Sequence, residues 1–151
     1  MLPERSGGYS LIELMIAIAI LSIIAAIAVP SYRAMVYNAQ IVSAMADIKQ
    51  ISTDITAYRM SNRRLPASLQ DIGMDGKLDP WGRPYEYLVM ASAKGKKGFR
   101  KDKNLHPLNS DYDLYSCGRD GNSIPPLTAQ QSRDDIVRAN NGGFIGLATN
   151  Y

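Results

Sequence analysis

The residues best suited to hold an ion are three aspartates in the C-terminal part of the chain, Asp120, Asp134 and Asp135. Calcium takes six to eight oxygen ligands from carboxylates, backbone carbonyls and water, and these side chains supply carboxylates. Gly118 and Gly121 allow the backbone around Asp120 to fold sharply enough to aim carbonyl oxygens inward. A calcium site, with spacing unlike that of an EF-hand, is one interpretation. The alternative is that Asp134 and Asp135 begin a short surface helix, whose dipole favours acids near the N-terminus.

Other metal or nucleophile chemistry has little support in the composition. The chain contains one cysteine, Cys117, and one histidine, His106. Structural zinc sites take four ligands, mostly Cys and His, so these counts exclude such a site. A thiolate–imidazole pair would require Cys117 and His106 to meet, and nothing in their flanks suggests it. We find no nucleophile or acid/base motif and expect that the protein is not an enzyme.

A further carboxylate, Glu13, is the only charge in the nearly apolar stretch from Tyr9 to Val29. About 20 such residues span a bilayer as a helix. A carboxylate at membrane depth costs about 2.5–3.5 kcal/mol or more and normally has a partner, yet this stretch offers no cation. Cleavage of the Gly8–Tyr9 bond would create one, because the free amine of Tyr9 could pair with Glu13 of a neighbouring copy. Alternatively, Glu13 lies at the membrane interface and its carboxylate reaches water.

The residues before this stretch are in the wrong order for a secretory signal, in which the cleavage site follows the apolar run. Here Gly7 and Gly8 precede it, so cleavage would remove only residues 1–8 and leave the apolar segment at the new N-terminus. Arg5 favours keeping the N-terminal side in the cytoplasm. The many small residues of the segment allow other helices to approach closely in lipid. We predict a leader over 1–8, a transmembrane helix over 9–29 that packs on other helices, and a domain over 30–151 across the membrane.

The net charge of +3 is concentrated in one stretch of the chain. Residues 94–103 contain six basic residues and one aspartate, a local balance of +5, which leaves −2 for the remainder. A solvated loop is the preferred interpretation, and a docking surface for an acidic partner is the alternative. We expect no nucleic-acid binding, because single-strand binders interleave stacking aromatics with the charge and only Phe99 is available here.

Helical periodicity continues beyond the apolar segment. Pro30 lacks an N–H and clashes with the preceding turn, so the helix should bend or loosen there. With Ser10 as N-cap, we predict a helix from Ser10 to Asn62, half transmembrane and half amphipathic. The amphipathic half is indicated by apolar residues spaced by three or four, namely Ile41, Met45, Ile48, Ile51, Ile55 and Tyr58.

The part of the chain after this helix predicts a small α+β unit. Residues 67–73 predict a short helix closed by Gly73, and alternation over 85–90 predicts a strand. A second strand within 111–118 should pair antiparallel with the first. We expect a two- or three-stranded antiparallel sheet over about 85–118, packed on the long helix, with Trp81 beneath it. The tail over 139–151 has the composition of a flexible segment, in which Phe144 and Ile145 are the residues that could pack back onto the domain.

The N-terminal residues resemble a known family. The stretch "GYSLIEL" (8–14) is similar to the prepilin processing site of type IV pilins and type II secretion pseudopilins, which has Gly before the cleaved bond and Glu as the fifth residue after it. The resemblance implies cleavage after Gly8 and N-methylation of Tyr9 by a prepilin peptidase. It also implies a retained helix that forms the core of a filament, with Glu13 acting in assembly. Tyr9 departs from the Phe that is usual at the first position.

A second resemblance lies in the C-terminal half. The stretches "LDPWGRPYEY", "DYDLYSCGRDG" and "RDDI" are similar to the major (G-type) pseudopilin of type II secretion systems, whereas 91–110 and 122–131 match poorly. This resemblance implies a type IV pilin-like fold with a calcium loop over 117–136. Its ligands would be the carbonyls of Cys117 and Ser132 with the carboxylates of Asp120, Asp134 and Asp135. The insertion over 122–131 is longer than expected for the family.

The function implied by the resemblance is structural. The protein would be the subunit of a periplasmic pseudopilus, a helical homopolymer that assembles from the inner membrane and drives type II secretion. Expected partners are a prepilin peptidase, minor pseudopilins and an inner-membrane assembly platform, with the N-terminus cytoplasmic and the domain periplasmic. The alternative is a pilin of a type IV pilus or DNA-uptake fibre, although many of these end in a disulfide-closed loop that one cysteine cannot form. A single-span membrane binding protein or enzyme is the third hypothesis, and no motif supports it.

Overall fold

A computed structural model of the chain describes residues 8–91, 98–103 and 107–151. The chain divides into two compact units, one ending at Asn38 and the other beginning at Ala39. This division lies C-terminal to the boundary predicted at residues 29 and 30. The predicted limits of the leader, the transmembrane segment and the domain stay predictions.

The long helix α1 extends over Leu11–Asn62, as predicted. Ser10 is its N-cap, since the Ser10 hydroxyl accepts a hydrogen bond from the Glu13 N–H at 3.2 Å. Pro30 lies within the helix and does not end it. After the proline, the Ser31 hydroxyl donates a hydrogen bond to the Ile27 carbonyl at 3.0 Å.

The N-terminal unit exposes the apolar side chains of α1. By length and composition, α1 can cross a membrane, and none of its most apolar stretch is buried. A contiguous surface of so many exposed apolar residues is unusual in a soluble monomer. The exposed apolar side chains here include Leu11, Ile12, Met15, Ile18, Leu21, Ile23 and Ile27.

The second unit contains the C-terminal part of α1. The apolar stripe of this part of the helix faces the core of the unit. Ile48, Ile51 and Ile55 are buried, as the spacing predicts, and Ala44 joins them. Ile41 and Met45 are partly buried and pack against this cluster. Residues spaced by three and four lie on one face of a helix, so this face packs on the sheet while the opposite face stays exposed.

The sheet has four strands, all paired antiparallel in the order β1-β2-β3-β4. Their bounds are Glu86–Val89, Tyr112–Ser116, Ile136–Ala139 and Phe144–Leu147. The predicted pairing of the first two strands is confirmed, with Tyr87 opposite Leu114. The predicted α+β architecture, a long N-terminal helix with a small antiparallel sheet, is therefore confirmed. The predicted extent of the sheet is wrong: among the described residues it has four strands and reaches Leu147, whereas two or three strands over about 85–118 were expected.

Two predictions about the C-terminal residues are wrong. The tail over 139–151 was expected to be flexible, but it carries β4, in which Ile145 lies opposite Arg138 of β3. The expected packing of Phe144 and Ile145 onto the domain is confirmed. The alternative that Asp134 and Asp135 begin a helix also fails, because strand β3 follows directly. Both strands are only four residues long, so their pairing partners rather than their local sequence determine their conformation.

The main core lies between α1 and the sheet. Tyr112, Leu114 and Ile136 of the sheet are buried with the helix stripe, and half-buried Trp81 packs against them, as predicted. A second cluster contains Leu108, Leu127, Val137, Ala139 and Ala148. A 3₁₀ helix, Leu69–Ile72, is closed by Gly73 in a left-handed conformation, which agrees with the short helix predicted there.

Candidate functional site

The N-terminal candidate site consists of the predicted processing bond and Glu13. Gly8 is exposed, and Tyr9 is 82% exposed. The Glu13 carboxylate accepts a hydrogen bond from the Ser10 backbone N–H at 3.2 Å, while Ser10 Oγ accepts one from the Glu13 N–H. These reciprocal bonds form a capping box, whose signature is Ser followed three residues later by Glu. The sequence contains that signature, which adds a capping role to the two interpretations of Glu13, as a partner for an amine or as a residue of the membrane interface.

The C-terminal candidate site is the loop between β2 and β3, which brings Asp120 and Asp134 together. Asp134 Oδ2 accepts a hydrogen bond from the Asp120 backbone N–H at 2.9 Å. Gly118 lies against the same residue, since a Cβ at position 118 would be 2.2 Å from the Asp134 carbonyl oxygen. Gly118 also has φ +63°, a conformation that favours glycine. The backbone at Gly118 is therefore adapted to the close approach of Asp134.

The turn around Asp120 is closed by its own polar groups. Asp120 Oδ1 accepts a hydrogen bond from the Asn122 backbone N–H at 2.7 Å. The Cys117 carbonyl, expected to face a metal, accepts one from the Gly121 N–H at 3.2 Å. An aspartate that bonds the N–H two residues ahead is a common way to stabilise a turn.

The third predicted carboxylate, Asp135, is fully buried and forms an ion pair with buried Arg100. The Ser123 hydroxyl donates a hydrogen bond to Asp135 Oδ2 at 2.7 Å. Burial raises the pKa of Asp135 to about 6, and the Arg100 charge and the Ser123 hydrogen bond oppose that rise. The carboxylate already has a cation as partner.

Ser132, the second predicted carbonyl ligand, connects the insertion to the loop. Its buried hydroxyl donates to the Ile124 carbonyl at 2.7 Å and accepts from the Ile124 N–H at 2.9 Å. Its own carbonyl accepts the Asp135 N–H at 3.4 Å. Ser132 therefore holds the insertion against the start of β3.

The Cys117 side chain is a half-buried free thiol. Burial first, and then the negative charge of Asp135, raise the pKa of this thiol to about 11. Because the thiolate is the reactive form, Cys117 is a poor nucleophile at neutral pH. His106 lies outside the described residues.

The turn over 79–84 supports the start of the loop. Asp79 Oδ1 accepts hydrogen bonds from the Trp81 and Arg83 N–H groups at 3.0 and 2.9 Å, and its Oδ2 accepts one from Ser116 at 2.5 Å. Arg83 then donates to the Gly118 carbonyl at 2.7 Å. The Pro and Gly residues of this stretch are typical of a turn, but only the structure reveals the contact of Arg83 with Gly118.

These positions test whether the five expected ligands fit calcium. Among the described residues, no group of three or more His, Cys, Asp or Glu side chains could hold a metal ion. Asp120 and Asp134 are brought together, whereas the Asp135 carboxylate lies against Arg100. In this arrangement the five residues do not fit a calcium site, and calcium binding stays a prediction.

Arg100 is the residue that sequence analysis missed. We had assigned it to a solvated loop, but it is only 2% exposed, and its neighbour Phe99 is also buried. The Arg100 guanidinium lies over the Tyr115 ring, 4.4 Å from the centroid. The solvated interpretation is wrong for these two residues, because a charged partner elsewhere in the chain makes burial of the arginine favourable. Lys94, Lys96 and Lys97 lie outside the described residues.

The chain is similar to proteins of known families. The family model described as "Prokaryotic N-terminal methylation motif" matches residues 5–29. Over 139 residues, the chain is 32% identical to the type II secretion system core protein G of Pseudomonas aeruginosa, an alignment that covers 78% of this chain and 87% of that protein. The protein of the same name from Klebsiella pneumoniae is 26% identical over 88% of this chain and 94% of its own length.

Shorter similarities connect the chain to a second group. A fimbrial protein of Moraxella nonliquefaciens is 42% identical over 69 residues, which cover 46% of this chain and 44% of that protein. No solved structure matches the chain significantly.

Proposed function

This chain belongs to the type II secretion system core protein G family, within the type IV pilin superfamily, and we propose that it is the structural subunit of a periplasmic pseudopilus. In this role, copies leave the inner membrane, join a helical homopolymer and drive exported proteins outward. The function is mechanical and requires no catalytic residue.

The observation that carries the proposal is the unpaired apolar surface of α1 in the N-terminal unit, with Glu13 at its start. None of the apolar stretch of this helix is buried within the described chain. Such a surface is compatible with lipid before assembly and with the helices of other copies after it. Small residues such as Ala17, Ala19 and Ala25 support close helix packing in the filament.

Processing creates the charge that assembly uses. We propose that a prepilin peptidase cleaves after Gly8 and methylates the new N-terminus at Tyr9. The match of the methylation-motif family at residues 5–29 supports this proposal. The exposed Tyr9 amine of one copy then pairs with Glu13 of its neighbour. Pairing replaces the capping box of the isolated chain or adds to it, since a carboxylate can accept several hydrogen bonds.

The membrane location follows from the same segment. α1 anchors the protein in the inner membrane, with the N-terminus cytoplasmic and the domain from residue 30 periplasmic. Besides other copies of itself and the prepilin peptidase, the partners we propose are minor pseudopilins and an inner-membrane assembly platform.

The pilus alternative is less well supported. The match to the fimbrial protein of Moraxella nonliquefaciens covers about half of each chain, whereas the match to core protein G of Pseudomonas aeruginosa covers 87% of that protein. The match to core protein G extends over most of both chains, and this favours the secretion pseudopilus.

The proposal is tested first by the mass of the mature protein. Loss of residues 1–8 with addition of one methyl group is expected for protein purified from membranes of a host with a prepilin peptidase. A mature chain that retains the leader would exclude this processing.

Filament assembly tests the role of Glu13. Glu13→Ala should insert into the membrane but fail to assemble, as measured by shearing filaments from cells that overproduce the subunit. Glu13→Gln is the informative companion, because Gln can still complete a capping box but carries no charge. Glu86→Ala, which changes an exposed glutamate of β1, is the matched control. Normal filaments from Glu13→Gln would show that capping, and not charge pairing, is what assembly requires.

A further inference from the structure

We propose that the Arg100 guanidinium is the resident cation of the C-terminal loop, and that this built-in charge holds the loop closed without a divalent metal. This inference concerns the folding of the second unit and does not depend on the pseudopilus proposal.

The first step is the geometry of the buried pair. Arg100 and Asp135 are 2% and 0% exposed, and one guanidinium nitrogen contacts Asp135 Oδ2. The second terminal nitrogen donates to Ser123 Oγ and, at 2.8 Å, to the Ile124 carbonyl. A buried carboxylate is tolerated when a cation and hydrogen bonds compensate for the lost water. Arg100 supplies that compensation at Asp135 Oδ2, while Asp135 Oδ1 is buried without a hydrogen-bond partner among the described residues.

The second step is that Arg100 is held in place at both ends. Its backbone N–H donates to buried Asp113 at 2.7 Å, whose other carboxylate oxygen accepts from Asn109 at 2.8 Å. Its guanidinium stacks over Tyr115 of β2, an arrangement that favours Arg through its planar charge. The side chain is therefore positioned by the fold and is not a surface arginine that happens to lie near an acid.

The third step is that the stretch around Arg100 and the stretch over 122–131 meet at this pair. The Lys101 N–H donates to the Pro125 carbonyl at 3.0 Å, and the Leu127 N–H donates to the Lys101 carbonyl at 2.9 Å. Lys101 and Pro126 form an isolated parallel bridge. One stretch thus provides Arg100, and the other, the insertion over 122–131, provides Ser123 and Ile124 as its further partners.

The fourth step is the balance of charge in the loop. Asp134 accepts the Asp120 N–H, and Asp120 accepts the Asn122 N–H. Asp135, the buried member of the three, has the guanidinium. Each carboxylate that a calcium ion would have bound therefore has a partner from the chain itself.

The experiment measures the melting temperature of the full chain in non-ionic detergent, with the fluorescence of Trp81, the single tryptophan, as the signal. The wild-type protein is melted with EDTA and with millimolar calcium chloride. The two melting temperatures should agree within about 3 °C, because a ligand stabilises a protein only if it binds the folded state. A calcium-dependent rise beyond that margin would overturn the proposal, and its loss in Asp134→Ala would assign the metal to the loop.

Two variants test the cation itself. Arg100→Met should lower the melting temperature in EDTA by more than about 10 °C, because it leaves Asp135 buried without a cation. The matched control is Lys103→Met, which removes an exposed cation from the same stretch. This variant should change the melting temperature in EDTA by less than about 3 °C. Equal melting temperatures for the two variants would refute the proposal.

A third variant covers the case in which Arg100→Met does not fold. Arg100→Met with Asp135→Leu replaces both charges by apolar groups and should recover a folded protein, because removing both members of a buried pair costs far less than removing one. If the double variant is also unfolded, the wild-type comparison between EDTA and calcium decides the question alone.

Discussion

The closest approach in the C-terminal loop yields a sharp prediction about Gly118. Its φ is +63°, and an added Cβ would lie 2.2 Å from the Asp134 carbonyl oxygen and 2.8 Å from Asp134 Oδ2. Gly73 has nearly the same φ, +69°, but no described atom lies within 4 Å of the position of its Cβ. Gly118→Ala and Gly73→Ala therefore share the conformational cost and differ in the steric one.

The expected loss of unfolding free energy is the sum of the conformational cost and the steric cost. A left-handed alanine costs about 1–2 kcal/mol, and this is the whole expected effect of Gly73→Ala. In Gly118→Ala the loop must also move away from Asp134, because backbone atoms cannot yield as a flexible side chain does. Overpacking adds about 1–3 kcal/mol, and losing the Asp120–Asp134 hydrogen bond adds about 1 kcal/mol. We expect a total of about 3–6 kcal/mol for Gly118→Ala.

The assay is urea unfolding of the full chain in non-ionic detergent, followed by Trp81 fluorescence. The free energy of unfolding is compared between the two variants and the wild type, and an unchanged dependence on urea shows that the same surface is exposed in each case. If Gly118→Ala costs no more than Gly73→Ala, the close approach of Gly118 to Asp134 is not a feature of the folded protein.

Two further predictions concern the core and the ion pair between Arg138 and Asp111. Ile51→Ala should cost about 2–5 kcal/mol of unfolding free energy, since Ile51 is fully buried, whereas the exposed Val42→Ala should change it by less than about 0.5 kcal/mol; similar losses in the same urea assay would contradict the packing of α1. Burial alone would raise the pKa of Asp111, but hydrogen bonds from Arg138 and the Tyr112 N–H lower it overall. The ionised Asp111 carboxylate therefore stabilises the folded protein at pH values above its unfolded pKa of about 3.9. This stabilisation is lost as the pH falls through the folded pKa. Asp111→Asn should therefore destabilise the protein at pH 7. Its melting temperature should begin to approach that of the wild type as the pH falls below about 4 and should meet it below the folded pKa of Asp111; a constant difference across that range would argue against this linkage.

Much of the fold could be predicted because the signals were local and strong. The spacing of Ile48, Ile51 and Ile55 matches one face of a helix, and each is buried. The alternation over 85–90 predicted β1, and Gly73 marked the end of a short helix. In each case the conformation depends on neighbouring residues, so a window of a few residues contains the information.

The strands β3 and β4 could not be predicted in this way. They are four residues each, and Asn and Gly residues surround them, so their local composition indicates a loop. Their pairing with β2 and with each other supplies the backbone hydrogen bonds that make them strands. Such long-range pairing is not visible in the sequence of either segment.

The sequence by itself determined the N-terminal half of this protein: the processing motif, the apolar helix and the position of Glu13 can all be identified from consecutive residues. Only the tertiary structure decided the chemistry of the C-terminal loop. The same three aspartates are compatible with a calcium site or with partners from the chain, and the choice depends on whether a cation reaches Asp135. Arg100 does so across 35 positions of the chain, because the stretch around it pairs with the insertion over 122–131, and no local pattern encodes that contact.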